Sequence, residues 1–384
     1  MRKNGKRYLL IIVAVAVLVG MTAVPAFATG PQATGSTTGL LGDRSSYTGG
    51  SDLHPPEDVA YYATLVIRNF TLTDNTGEFR SWQGATVGDI TLVRDATGDP
   101  VLYDVTIENN GHPVGLIQIW AKKSKGVPFY TVSTSTVLLD LRQRVNEACQ
   151  MTTQTFGKID IIETEVVYYQ FPKRAFAVIF QQGGQTHRAL VDVTIQRIVT
   201  PKEVVPFAST LDADDLRASR EEWTHMQRLL AQVEQHSPMQ YEENVLNVPL
   251  FGQETGYYCG PAVVKMIFHY RHGWSYSQDY YAILLGTTPE GGTPWGNYGP
   301  AWGQLGHGVV YSSGRLPWGS VKIDINSNRP FQSHIPGHVR VARGYKELLW
   351  QWKYVLINDP LPVGQGNVFW ESYPTYWSGT IEVY

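Results

Sequence analysis

The stretch from Val248 to Ala262, VPLFGQETGYYCGPA, decides how the last third of this 384-residue chain is interpreted. After its final Cys-Gly-Pro-Ala, apolar residues recur every three or four positions as far as Gly273. Because this spacing gathers apolar side chains on one face, it predicts a helix that begins at Cys259 and ends near Gly273. Cys259 is therefore expected in the first turn of a buried helix.

A cysteine at that position is suited to nucleophilic chemistry. The thiolate is the nucleophile, and its ordinary pKa of about 8.5 falls to roughly 3.5–7.5 at helix N-termini or beside an imidazolium. Backbone N–H groups at the same helix end can face a developing oxyanion. Gln253 lies six residues upstream, and its side-chain amide is a second candidate oxyanion donor.

A thiol nucleophile needs a general base, and two later segments offer one together with its support. His338 opens an alternating segment that runs to a Gly-Tyr turn, and the apolar segment 354–357 is followed by Asn358 and Asp359. If these segments pair as antiparallel strands, His338 meets one of the two polar residues. His307 and His334 are the alternative bases.

The combined pattern resembles papain-like cysteine peptidases, and most of all their bacteriocin-processing-peptidase-like branch (peptidase family thirty-nine and its relatives). The motifs that carry the resemblance are Gln253, Cys-Gly-Pro-Ala, His338 ahead of Gly-Tyr, and an Asp-Pro step. The resemblance covers residues 245–384. The Cys-to-His interval of 79 residues is short for the larger papain-type enzymes, which leaves the walls of the substrate cleft undefined.

The resemblance implies a fold and a set of roles. The fold is α+β, with a papain-like catalytic domain in which the nucleophile helix packs on an antiparallel sheet. Cys259 would be the nucleophile, His338 the base and Gln253 the oxyanion donor. Asp359 would orient the histidine, because that family places Asp directly before Pro; Asn358 is the alternative. No cofactor and no metal are implied.

The chain begins like an exported protein. A basic start is followed by an apolar run from Leu9 to Val19, and Ala26-Phe27-Ala28 supplies a small-x-small cleavage pattern. Residues 1–28 are therefore predicted to be a signal peptide, with cleavage after Ala28 and a secreted or cell-surface location. An uncleaved N-terminal anchor is the alternative, and it would be the only membrane attachment.

Composition divides the rest of the chain. Residues 29–56 are rich in Gly, Ser, Thr and Pro, which predicts a flexible linker. Residues 57–200 combine two helical segments with alternating strand patterns, which predicts an antiparallel α+β domain. Residues 201–244 show helical spacing and predict a connecting helix, and residues 245–384 form the peptidase domain.

The α+β domain also resembles, more weakly, the propeptide of streptopain-type cysteine peptidases. That resemblance implies intramolecular inhibition of the enzyme by residues 57–200 until they are cut. A permanent accessory domain is the alternative.

Several features have plainer interpretations. Two cysteines in an exported chain suggest a disulfide between Cys149 and Cys259, although the nucleophile context of Cys259 favours free thiols. The sequon at Asn69 is either a glycosylation site or a chance occurrence. The tryptophans of the last third are expected mostly in the core and the cleft wall, with a ligand-binding platform as the alternative.

The net charge of the chain limits the classes of partner that it is expected to bind. The formal net charge is −3, and without residues 1–28 the chain keeps 27 basic and 34 acidic residues and no long basic run. Nucleic acid is therefore not an expected partner. A peptide or protein substrate fits an exported cysteine peptidase, which is the leading hypothesis. The alternatives are an inactive peptidase-fold binding module and a cell-envelope amidase or acyl transferase with the same triad.

Overall fold

A computed structural model describes residues 52–74, 76–207, 217, 221, 241–348, 352–373 and 377–384. The predicted signal peptide, most of the predicted linker and most of the predicted connecting helix lie outside these residues. Among the helices in the described ranges, none combines the length and apolar character needed to cross a bilayer.

The first part of the described chain is an antiparallel sheet with helices against it. Its helices are α1 (Pro56–Leu72), α2 (Val137–Gln143) and α3 (Val145–Phe156). Its strands are β1 (Thr86–Asp95), β2 (Pro100–Asn109), β3 (His112–Trp120), β4 (Phe129–Ser133), β5 (Asp160–Gln170), β6 (Lys173–Gln182), β7 (Gln185–Asp192) and β8 (Arg197–Ile198).

The second part carries the nucleophile helix and a second run of strands. Its helices are α4 (Cys259–His272), α5 (Gln278–Leu285), α6 (Tyr298–Gln304) and α7 (Trp318–Asn326). Its strands are β9 (Tyr241–Val245), β10 (Val309–Ser313), β11 (Phe331–Ile335), β12 (His338–Leu348), β13 (Trp352–Asp359), β14 (Asn367–Tyr373) and β15 (Gly379–Val383).

The strands of both parts join one mixed sheet. Its order is β10-β15-β11-β12-β13-β14-β4-β3-β2-β1-β5-β6-β7-β8, and β9 pairs with β12 beside this path. The two parts meet where β14 pairs with β4, with Trp370 opposite Val132 and Glu371 opposite Thr131. The fold is therefore α+β and mostly antiparallel, as expected. Among the named strands of the described residues, the parallel pairing of β1 with β5 is the exception, and no local sequence pattern predicted it.

Apolar packing also crosses from one part to the other. Trp370 is fully buried, and it belongs to the same core cluster as Phe70 of α1 and Tyr354 of β13. The Phe70 and Tyr354 rings lie 5.0 Å apart. The buried ammonium of Lys346 lies over both Phe70 and Trp370. One face of the second part's sheet is thus covered by the first part.

Three expectations of local structure need correction. The helix expected over residues 138–151 is split into α2 and α3, which meet at Arg144. The end of the predicted connecting helix is instead β9, because residues 241–245 pair with the far end of β12. The sequon residue Asn69 is buried in α1 at 2% exposure, so the folded chain hides the nitrogen that a glycan would need.

The shared core predicts a single cooperative unfolding transition. Trp370→Ala removes a fully buried indole that contacts both parts, and it is expected to lower stability by about 3–5 kcal/mol. Circular dichroism and intrinsic fluorescence should report the same lowered midpoint. Trp274→Ala is the matched control, because Trp274 is 48% exposed. Two separate transitions, only one of them shifted, would contradict this account.

Candidate active site

Cys259 is the first residue of α4, as the sequence predicted for the helix start. The helix ends at Gly273, which adopts the left-handed conformation with φ +74°. Gly260 allows the close approach of neighbouring side chains, since a Cβ there would lie 2.3 Å from Thr293 Oγ1 and 2.7 Å from the Tyr298 hydroxyl. The Cys-Gly pair is therefore a packing requirement of this helix start as well as a chemical one.

His338 and Asp359 meet at neighbouring strand ends. His338 opens β12 and Asp359 closes β13, and the two strands pair antiparallel. His338 Nε2 lies 2.7 Å from Asp359 Oδ1, and both residues are buried. The backbone N–H of Leu361 donates to the same carboxylate oxygen at 2.8 Å. Since Asp359 engages Nε2, the Nδ1 atom of His338 is the ring nitrogen left for the thiol.

The surroundings of Cys259 favour its ionised form. Burial raises the pKa of the thiol, but the neighbouring imidazole of His338, the charge of Lys173 and the backbone N–H of Val339 lower it by more. The pKa of Cys259 is consequently lower than that of an ordinary cysteine. This is the electrostatic condition that a nucleophilic thiol requires.

The histidine shows the complementary shift. Burial alone would lower the pKa of His338, but the charge and hydrogen bond of Asp359, together with Cys259, raise it to about 9. At neutral pH the imidazole is therefore protonated, and its positive charge favours ionisation of the neighbouring thiol.

Gln253 lies in the loop that leads to Cys259, and it is 1% exposed. Its backbone N–H donates to Pro360 O at 2.9 Å, and its carbonyl accepts from the Gly364 N–H at 2.8 Å. These bonds tie the loop to the segment that follows Asp359. The side-chain Nε2 donates to Thr255 O at 2.6 Å, which leaves its second hydrogen for another acceptor.

Asn358 has a different task from Asp359. Its Nδ2 donates to Val248 O at 3.0 Å, and its Oδ1 accepts from Arg343 Nε at 2.6 Å. It therefore holds the start of the Gln253 loop and makes no contact with the His338 ring. Of the two candidates for the orienting residue, Asp359 is the one that the structure brings to the histidine.

The alternative bases are engaged elsewhere. His334 Nε2 faces Gln332 Oε1 at 3.1 Å, and burial with the nearby charge of His338 lowers its pKa to about 3. His307 pairs with His272 Nε2 at 2.9 Å and with the Tyr384 carbonyl. The structure brings neither histidine to the thiol.

The remaining alternatives for cysteine and tryptophan are also located. Both cysteines are free, and Cys149 Sγ lies 3.6 Å from Thr164 Oγ1, so no disulfide occupies Cys259.

The structure describes most tryptophans of the last third. As expected, the majority of these are buried: Trp302, Trp352, Trp370 and Trp377. Trp274 and Trp295 are exposed, Trp318 is half-buried, and Trp350 lies outside the described residues. No group of three metal-ligating side chains occurs within the described residues.

Two residues of the site were not found from the sequence. Gln278 is buried at the start of α5. Its side-chain amide donates to Gly252 O at 2.8 Å and accepts from the Glu254 N–H at 3.0 Å, so it binds the backbone on both sides of Gln253. Lys173 comes from β6 of the first part, and its positive charge favours a lower pKa of the Cys259 thiol. No local pattern marks either residue, because each contact depends on tertiary structure.

Comparisons with known proteins agree with the fold expected for the C-terminal part. Residues 245–381 match the family model described as the Peptidase_C39 like family. No curated protein matches the chain.

Two solved structures are similar to it. One is a double glycine motif protease from an AMS/PCAT transporter in complex with its leader peptide, at 18% identity and TM-score 0.28, covering 38% of this chain and 98% of that one. Another is the peptidase domain of Streptococcus ComA, a bi-functional ABC transporter in quorum sensing, at 21% identity and TM-score 0.28, covering 36% and 98%. Residues 245–381 of this chain are thus similar to the Peptidase_C39 like family.

Proposed function

We propose that this protein is an exported cysteine peptidase that hydrolyses peptide bonds through Cys259, His338 and Asp359. The observation that carries the proposal is the buried His338–Asp359 pair at 2.7 Å, which acts on a thiol at a helix N-terminus. Buried titratable groups whose pKa values are strongly shifted by a charged partner are concentrated at functional sites.

Acylation follows from these positions. The Cys259 thiolate attacks the carbonyl carbon of the scissile bond, and the oxyanion accepts hydrogen bonds from the Cys259 backbone N–H and the free amide hydrogen of Gln253. The His338 imidazolium gives its proton to the leaving amine. Asp359 holds the ring in the orientation that this transfer needs. The product is a thioester on Cys259 and a free amine.

Deacylation uses the same groups in reverse. Neutral His338 takes a proton from a water molecule, whose oxygen attacks the thioester carbonyl. The carbon–sulfur bond breaks, the carboxylic acid product leaves, and Cys259 returns to the thiolate. No cofactor enters either step, and reducing conditions keep the thiol available.

The substrate class and the location are part of the proposal. A peptide or protein is the substrate that the Peptidase_C39 like match favours. The basic and apolar start of the sequence supports export. Inhibition by residues 57–200 stays a prediction. What supports it is the contact of their turns with the site: a Cβ on Gly337 would lie 3.0 Å from Gln170 Nε2, and one on Gly256 would lie 3.4 Å from Ile195.

Cys259→Ala is expected to abolish hydrolysis of a peptide library while leaving the far-ultraviolet circular dichroism unchanged. Removal of the nucleophile leaves no group to form the thioester. Cys149→Ala is the matched control and should keep full turnover. A thiol-directed activity probe should label the wild type and the control only. Retained hydrolysis in Cys259→Ala would reject the nucleophile assignment. Labelling with no hydrolysis of peptides would instead favour the amidase or acyl transferase alternative.

Asp359→Asn and Asn358→Ala separate the two neighbouring residues. Asp359→Asn removes the negative charge that lies beside His338 Nε2, and kcat/KM is expected to fall by roughly 100-fold or more. Asn358→Ala removes an amide that binds Val248 O and Arg343 and does not bind the His338 ring, so its effect on kcat/KM should be smaller. Steady-state kinetics on one peptide compare the two variants, and a larger loss in Asn358→Ala would exchange the two roles.

The pKa shifts predict a bell-shaped dependence of kcat/KM on pH. The acid limb reports ionisation of Cys259, whose lowered pKa keeps the enzyme active below the range of an ordinary thiol. The alkaline limb falls near about 9, where His338 loses the proton that the leaving amine needs. Asp359→Asn should move the alkaline limb to lower pH. An alkaline limb that stays in place in this variant would separate it from His338.

A further inference from the structure

The turn between β5 and β6 reaches from the first part of the chain into the active site. Phe171, in this turn, packs with Trp120, Tyr130 and Phe207, with ring centroids 4.9–6.3 Å apart. On the strand that leaves the turn, Arg174 is buried in an ion pair with Asp104 at 2.7 Å. Lys173 lies between these two residues, so the packing of both neighbours fixes the position of its backbone.

The surroundings of Lys173 place it between the two loops that carry the catalytic residues. It lines a small cavity of about 40 Å³ together with Gly256, on the loop that enters α4, and with Leu361 to Val363, on the loop that follows Asp359. Gln170, its partner across the β5–β6 turn, lies against Gly337, the residue before His338. The turn thus contacts the chain just ahead of the base and shares a cavity with the loops beside the nucleophile and Asp359.

Lys173 is one of the groups that affect the ionisation of the thiol. The others are His338 from β12 and the Tyr298 hydroxyl from α6. Burial raises the pKa of Tyr298 well above its usual value, so it stays neutral. The positive charge of His338 is shared with Asp359.

The carboxylate of Asp192 lines the same cavity as Lys173. Its oxygens accept hydrogen bonds from the Tyr169 hydroxyl at 2.9 Å and from the Thr194 hydroxyl at 2.6 Å, which hold it within the first part of the chain.

We propose that Lys173 belongs to the active site and that its ammonium group stabilises the Cys259 thiolate directly. In this role Lys173 acts only through its charge: it transfers no proton and forms no covalent bond. A positive charge near a partly desolvated thiolate favours the ionised form of the thiol. The effect is larger than the same charge would have in bulk water. The first part of the chain thereby contributes a residue to the chemistry of the second.

This inference deepens the proposed peptidase function without needing peptide hydrolysis for its test. It concerns the ionisation of a thiol, which alkylation measures whether or not the enzyme cuts a peptide. It also changes the role of residues 57–200, because a segment that supplies a charge to the nucleophile is required for full reactivity rather than only for inhibition.

The experiment measures the rate of alkylation of Cys259 by iodoacetamide between about pH 5 and 9, which brackets ordinary and activated thiols. The full chain carries Cys149→Ser, so that Cys259 is the only thiol, and iodoacetamide is uncharged. The variants are Lys173→Met and Lys173→Arg. Lys158→Met is the matched control, because it removes one exposed lysine from the same part of the chain.

Lys173→Met is expected to move the midpoint of the rate–pH curve upward by about half a unit to one unit. Below the midpoint, alkylation should slow by roughly three- to tenfold. Lys173→Arg should restore the original curve, and Lys158→Met should leave it in place. The shift should also persist in a His338→Ala background, since the proposed action does not pass through the imidazole.

Two results would overturn the inference. One is a Lys173→Met curve that coincides with that of the Cys149→Ser chain. The other is a shift that vanishes in the His338→Ala background, which would assign the effect to the histidine. If Lys173→Met alters the near-ultraviolet circular dichroism, Lys173→Gln replaces it with the same two criteria. A chain that shifts as expected but hydrolyses no peptide would support the role of Lys173 while rejecting the proposed peptidase function.

Discussion

The contact between His338 and Asp359 is the interaction on which the rest of the site depends. It exists because β12 and β13 pair antiparallel, with Val341 opposite Asn358, so that the start of one strand lies beside the end of the other. A shift of one residue in this register would turn Asp359 to the opposite face of the sheet and bring Asn358 into its place. Both groups are buried, so either charge would be destabilising in the interior without the other to offset the loss of water. The register of two strands thus determines whether a carboxylate reaches the His338 imidazole.

The loops around this pair are held in place by hydrogen bonds from amide side chains. Asn358 and Gln278 both bind backbone groups of the Gln253 loop, one from β13 and one from the start of α5. An amide suits this task because it donates and accepts at once without bringing a charge into the interior. Close approach of the loops also needs glycine, since a Cβ on Gly252 would lie 2.5 Å from the backbone nitrogen of Gln365. Charged groups act on the thiol, while neutral ones hold the loops.

The sequence predicted what local patterns control. The helix from Cys259 to Gly273 follows from apolar spacing and a glycine stop, and the strands of His338 and Asp359 follow from alternation. Which polar residue would meet the histidine depended on register, which a single sequence does not specify. The merging of both parts into one sheet, the parallel pairing of β1 with β5 and the packing of Lys173 against the loop of Gly256 were not predictable, because each is a contact between distant segments with no repeating pattern.

The shared core bears on whether residues 57–200 could be a removable propeptide. A segment that is cut away on activation must leave a surface that water tolerates. Here its loss would uncover Trp370, Tyr354 and the buried ammonium of Lys346, and would leave β14 without its partner β4. Exposing two large aromatic residues alone forfeits several kcal/mol of burial, comparable to the whole stability of a typical domain. The physical cost therefore favours residues 57–200 as a permanent partner of residues 245–384.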